Sequence, residues 1–298
     1  MDNTGKVFWN RAGYVEIENQ SGNMVRYGGS NDSLDFKFSG SKIGDLVTDF
    51  DVGILGLSAE TIKDLTIWRP FSDTSRYRRI KVFAGYSEDS LINPIFDGYI
   101  FNAVPTTPPE MWLEMKCVSY IKNTKPIEPF SMNATGMEIA QKVFSLTGLG
   151  GGLLYFDTKN PSGTTNPESL QKEMKFTFQG LPQHIVHDFA AKTRAVMFHE
   201  NGMLFWVESK LWYTGRVQTS ISRTVNLDNG MIGMPKVDYK GVIVKMRLDD
   251  DIPFMKRIDF RSKMIPSADG LYVVNSKKHV GHFRGEEWYT ELELRRTF

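Results

Sequence analysis

Residues 270–296 read GLYVVNSKKHVGHFRGEEWYTELELRR and place His279, His282, Glu286 and Glu287 within nine positions. Imidazole and carboxylate are the common ligands of zinc and the usual general bases of hydrolysis. A zinc peptidase carries its two histidines at i and i+4 of a helix, with a glutamate between them as base. Here the spacing is i, i+3, Gly281 separates the rings, and the flanking alternation predicts two strands around a turn at 281–285. No nearby motif supplies a third ligand. These residues therefore read as polar side chains at a hairpin mouth, not as a metal site.

Other chemistry-bearing patterns read the same way. His184 and His187, followed by Asp188, fall on a predicted helix, but no glutamate holds the base position and the spacing is one short, so they read as surface histidines. GLGGG at 148–152 follows a helix instead of a strand, lacks a following Gly-Lys-Ser/Thr, and has Leu153 where GxGxxG needs glycine. It reads as a turn after a helix C-cap. Asp249, Asp250 and Asp251 lack EF-hand spacing and read as a solvated turn. Cys117 lies in the alternating segment WLEMKCVSY with no nucleophile signature around it, and reads as a small buried hydrophobe. No Ser-His-Asp or paired-carboxylate spacing stands out. The catalytic, cofactor and metal sets are all empty on this reading, and the protein is not expected to be an enzyme.

Composition sets the class. The chain has 298 residues, 41% hydrophobic and 24% charged, with a formal net charge of +1. That is the profile of a folded chain with two or three cores and no global pull on nucleic acid or anionic lipid. One cysteine excludes an intramolecular disulfide and every multi-cysteine zinc cluster. No apolar run approaches the ~20 residues that span a bilayer, so no stable membrane insertion is expected. MDNTGKVFWNRAGY shows no signal-peptide pattern, so folding in a cytoplasm is expected.

The elements fall into three blocks. Residues 1–122 alternate in short strands (YVEIEN, LDFKFSG, RRIKVFAGY, PIFDGYIFNAVP, MWLEMKCVSY), with one short helix after Ser58 in SAETIKDL. VPTTPPE reads as a rigid turn, although Pro105 and Pro108 also have the spacing of a groove ligand. Residues 123–213 change pattern. After the proline-marked break KNTKPIEPF comes a helix with Ile139, Val143 and Leu146 on one face, stopped at Gly148. The polar loop DTKNPSGTTNPES follows, then a strand KFTFQG, a helix LPQHIVHDFAAKTRA, and a hairpin turning at Asn201-Gly202. Residues 214–298 return to short strands separated by DNG, DDD and SADG. The expected fold is mainly β: antiparallel β-domains at 1–122 and 214–298, and an α+β module at 123–213.

Several spaced motifs carry a resemblance. Arg79–Tyr86 reads as a basic residue followed by I-x-V-x-A-G-Y. Phe96–Ile100 reads F-x-G-x-I, and a proline-rich turn precedes W-L-x-x-K at Trp112–Lys116. Together with MIGMPKVDYKGVIVKMRL and the 270–294 segment, they resemble phage tail baseplate hub proteins over nearly the whole chain. The resemblance implies two tail-tube-like β-barrel domains joined by a smaller helix-containing domain, and a homotrimer adapting a sixfold tube of a contractile tail to a threefold spike. It implies as partners further copies of the chain, the tube protein or tube initiator, the central spike, and the wedge and tape-measure proteins. DNA would contact the chain only in transit, through a lumen expected not to be strongly basic. The implied location is the virion baseplate, after assembly in the host cytoplasm. Two other classes stay open: a metal-dependent hydrolase using His279, His282 and Glu286, and a carbohydrate-binding β-protein using exposed Trp and Tyr. Trp112, Trp206, Trp212 and Trp288 are the aromatic residues expected to supply extra surface for burial.

Overall fold

The computed structural model describes residues 10–29, 33–43, 49–67, 78–87, 92–119, 126–159, 161–162, 167–200, 203–214, 216, 219–248, 252, 254 and 256–297. The first block contains β1 (Arg11–Glu18), β2 (Met24–Tyr27), β3 (Asp35–Ile43), β4 (Asp49–Leu55), α1 (Ala59–Leu65), β5 (Arg78–Tyr86), β6 (Pro94–Pro105) and β7 (Trp112–Val118). Alternation builds it. In β5, Ile80, Val82 and Ala84 are buried and Lys81 faces out. The Ser58 side chain accepts from the Thr61 amide and starts α1, whose Ile62 and Leu65 are buried.

The middle block runs β8 (Ile127–Thr135), α2 (Gly136–Thr147), β9 (Gly152–Phe156), β10 (Glu173–Gly180), α3 (Pro182–Lys192), β11 (Ala195–Glu200), β12 (Met203–Glu208) and α4 (Ser209–Thr214). Thr135 and Glu138 close a reciprocal capping box on α2, and Gly148 ends the helix at φ 70°. Asn201 and Gly202, the expected hairpin turn, lie outside the described residues, but β11 and β12 pair antiparallel on either side of them. β12 also pairs with β9, in parallel. This small sheet is apolar on both faces. Leu204 and Trp206 join the core under α2 and α3, while Phe205 and Val207 join a different core. That double burial is why MLFWV reads as a continuous apolar run.

The last block contains β13 (Ile221–Val225), β14 (Met231–Val237), β15 (Gly241–Arg247), β16 (Arg257–Phe260), β17 (Gly270–His282) and β18 (Trp288–Arg296). Its strands do not form a sheet of their own. One path of hydrogen bonds runs β14-β15-β18-β17-β3-β4-β7-β6-β5-β1-β2, through both terminal blocks. β17 makes the join. One of its edges pairs with β18. The other pairs with β16 through residues 270–273 and with β3 through residues 276–282. The expectation of purely antiparallel terminal domains is corrected here, because β13 and β16 are parallel. Among the described residues the hydrophobic interior still divides into three clusters. One is centred on β1–β7, one lies under α2 and α3, and one is built from β13–β18 together with Phe156, Phe198, Phe205, Val207 and Leu211 of the middle block. Among the described residues no helix is long and apolar enough to cross a membrane.

Candidate functional site

The histidines singled out by spacing are not brought together. Positions 279 and 282 differ by an odd number along β17, so their side chains leave opposite faces. His279 is fully buried, and its Nδ1 lies 3.0 Å from Thr290 Oγ1. It is a core residue, which corrects its reading as part of a polar hairpin mouth. His282 does sit at that mouth, with Nε2 2.8 Å from Asp35 Oδ2, while Asp35 Oδ1 accepts from the Arg284 amide. Glu286 and Glu287 are exposed. Among the described residues no three His, Cys, Asp or Glu side chains converge as a metal site would require. His184 and His187 are exposed on α3, and Asp249–Asp251 lie outside the described residues. Cys117 is buried in β7, where loss of solvation pushes its thiol pKa far up.

Three of the four tryptophans noted in the sequence turn inward. Trp112, Trp206 and Trp288 are buried, and the Trp206 indole donates to Thr193 Oγ1. Their area is used inside the chain, not held back for a partner.

What the fold does assemble is a joint between the two β-rich blocks. Lys277 points inward from β17 at the level where β16 gives way to β3. Its Nζ lies 2.5 Å from Glu200 Oε1 and 2.9 Å from the Ile252 carbonyl, and it stands over the Phe254 ring. Glu200 Oε2 accepts from the Phe254 amide. A buried ion pair is tolerable only when its remaining donors and acceptors are met, and these four contacts provide that. The middle block, the 252–254 segment and β17 are thereby tied at one point.

A second tie lies at the other end of β17. The Arg11 guanidinium donates to the carbonyls of His282 (2.8 Å), Gly285 (2.6 Å) and Glu286 (2.9 Å). Burial lowers its pKa from the ordinary arginine value. Nearby, Trp288 Nε1 donates to the Gly85 carbonyl, and Tyr86 Oη accepts from the Leu248 amide. The A-G-Y of the first motif is thus a docking point for the last block. Sequence reasoning missed Lys277, Glu200 and Arg11, because their partners lie far away in the sequence and no local spacing links them.

The solvent side of the joined sheet is a groove of about 510 Å³. Two ion pairs line it, Lys37 with Glu114 at 3.2 Å and Lys116 with Asp51 at 2.8 Å, and Lys278 and Glu287 line it as well. The hydrogen bond to Asp51 raises the Lys116 pKa. The lining offers ion pairs and hydrogen bonds, but no nucleophile held by a base.

The architecture is mainly β, with one sheet running through both terminal blocks and helices α2 and α3 in the middle block. Residues 17–294 match the family described as baseplate hub gp41. The chain belongs to that baseplate hub family. No curated protein matches it in sequence. Among solved structures, this hub chain is similar in fold to the 43 kDa tail protein of prophage MuSo2 from Shewanella oneidensis, with 8% identity, TM-score 0.55, and coverage of 95% of this chain and 98% of that one. It is similar to E. coli c3393, described as a type VI secretion system component with structural similarity to T4 tail proteins gp27 and gp5 (9% identity, TM-score 0.50, coverage 90% and 76%). It is also similar to a chain of the lidded Francisella PdpA–VgrG complex (8% identity, TM-score 0.51, coverage 98% and 53%).

Proposed function

We propose that this chain is the structural hub of a contractile phage tail baseplate, located in the virion and without catalytic activity of its own. Three copies form a ring that meets the sixfold tube, or its initiator, on one side and the threefold spike on the other, with wedge and tape-measure proteins as further partners. Residues 1–122 and 214–298 act as the two tube-like domains, and residues 123–213 as the attached module. The observation that carries this reading is the shared strand β17. It pairs with β3 of the first lobe and with β16 and β18 of the last. One protomer therefore offers two β-rich lobes in fixed relation, and three protomers offer six, which is the number a sixfold tube requires. The paired charges of the groove support passage of DNA: lysines neutralised by carboxylates do not hold phosphates as an open basic surface does.

The hydrolase alternative lacks its geometry, since His279 and His282 leave opposite faces of β17. The carbohydrate-binding alternative would use exposed tryptophan and tyrosine; Trp112, Trp206 and Trp288 are buried, and Tyr213 and Tyr239 are exposed. Cryo-electron microscopy of assembled tails tests the proposal. The expected density has three copies about the tube axis, contributing six lobes to one ring. Six copies per ring, or a position outside the tube, would overturn it.

A further inference from the structure

The sheet that joins the two terminal blocks carries a buried polar layer where their cores meet. Along β18, Trp288 belongs to the core of β1–β7 and Leu292 to the core of β13–β18, with Thr290 between them. Along β17, Val274 belongs to the last-block core, while the place a Cβ at Gly281 would take is filled by the Phe38 ring of the first-block core. Between these two positions stand Lys277 and His279. Glu200 of β11 reaches Lys277 and completes the layer. Lys277, His279 and Thr290 are 0% exposed, and Glu200 is 6% exposed.

Histidine is the side chain that ordinarily changes charge between pH 5 and 8, and His279 brings one into this layer. Its surroundings suit the neutral ring. Nδ1 lies 3.0 Å from Thr290 Oγ1 on β18. On the other side His279 stands opposite Gly40 of β3, where the Phe50 ring of β4 fills the place of a Cβ. The neighbouring charge on its own strand face is the Lys277 ammonium, two residues or about 7 Å away. Lys42 holds the register position opposite Lys277 on β3. From β11 comes Glu200, whose two oxygens are already engaged, by Lys277 Nζ and by the Phe254 amide. A proton on His279 would therefore put a second cation beside Lys277, away from water.

We propose that this layer is an acid-sensitive joint, in which a neutral His279 keeps β17 paired with β3 and protonation releases that pairing along residues 276–282. The sign follows from proton binding. An unfolded imidazole takes up its proton near pH 6.5, as a general value of about that size. A fold that holds the ring neutral binds fewer protons than the unfolded chain below that pH. Stability is then full above about pH 6.5 and falls as the pH drops, by up to about tenfold in the folding constant per pH unit. His282, 2.8 Å from Asp35 at the end of the same strand, works in the opposite sense, because its protonated ring would form an ion pair with that carboxylate.

The test compares the full-length parent with His279→Gln, whose neutral amide can still bond to Thr290 but cannot take up a proton. Urea unfolding is run from pH 8 to pH 5. Because His282 is common to both chains, its effect cancels in the comparison. Between pH 6.5 and pH 5.5 the folding constant of the parent is expected to fall about tenfold relative to the variant. Amide exchange, corrected for its intrinsic pH dependence, is expected to speed up at 276–282 in the parent before it does in β1 and β5. Should the variant not fold, ring-carbon NMR of the parent decides. The His279 signal is expected to stay flat from pH 8 to the onset of unfolding, while the exposed His184 and His187 titrate. Parallel stability curves, a His279 ring that titrates near pH 6.5 in the folded chain, or acid unfolding with no earlier loss of protection at 276–282 would each overturn the joint.

Discussion

Lys277 Nζ lies 2.5 Å from Glu200 Oε1, with both side chains removed from water (0% and 4% exposed) and 77 positions apart in sequence. The pair ties the middle module, through Glu200 of β11, to the strand that the first and last blocks share. Hydrophobic contact alone has no direction. A buried ion pair with every donor met sets the three parts in one register, because any sliding would strand a charge in the interior.

Lys277→Met is accordingly expected to destabilise the folded chain by about 3–5 kcal/mol, since Glu200 is left buried without its cation. Lys277→Met together with Glu200→Gln should recover a large part of that loss. Urea unfolding of the two single variants and the double variant measures the coupling. A single-variant loss within error of zero would mean that water reaches the pair.

Arg11→Ala should loosen the 282–286 turn before it affects the rest of the sheet. Three carbonyls lose a charged donor, each such bond contributing about 1.5–3 kcal/mol in favourable settings. Hydrogen exchange is the direct readout: the Phe283 and Gly285 amides should exchange faster while those of β5 hold. Arg11→Lys should not rescue, because one ammonium cannot span carbonyls that a guanidinium reaches with two nitrogens.

Cys117 should resist thiol reagents in the folded chain even at pH 9, since burial holds it as the neutral thiol. Labelling should track unfolding in denaturant. Fast labelling of native protein would contradict its placement in β7.

Glu138 supplies a pH-dependent contribution. The Thr135 backbone amide, and then its hydroxyl, donate to the carboxylate and hold its pKa below the ordinary glutamate value. A depressed folded-state pKa means stability that is present above the unfolded value, about 4.3, and lost as pH falls through the folded one. Glu138→Gln should therefore be less stable than the parent at pH 7, and the gap should narrow on acidification below pH 4. Melting curves across that range decide it. A gap that widens toward acid reverses the sign and removes the capping explanation.

Much of the fold is legible one segment at a time. The alternation of RRIKVFAGY, the Ser58 cap, the stripe of Ile139 and Val143, and Gly148 as terminator are local signals, read within one strand or turn. The spaced motifs were equally legible. Their residues recur in the structure as core positions and as the Gly85 and Tyr86 contacts to the last block.

The sequence by itself determined the strand texture, the helical middle and the absence of catalytic spacing around the histidines. Tertiary structure alone decided which strands share a sheet and which polar residues go inside. Lys277 and Lys278 are identical in type and adjacent, yet one is buried and the other exposed, because a strand turns successive side chains to opposite faces. Which of the two is taken in depends on where Glu200 and the Ile252 carbonyl arrive from distant parts of the chain. β17 likewise reads as one ordinary strand. Its use by two lobes depends on the register with β3 and β16, and that register is set by long-range pairing, which no local pattern encodes.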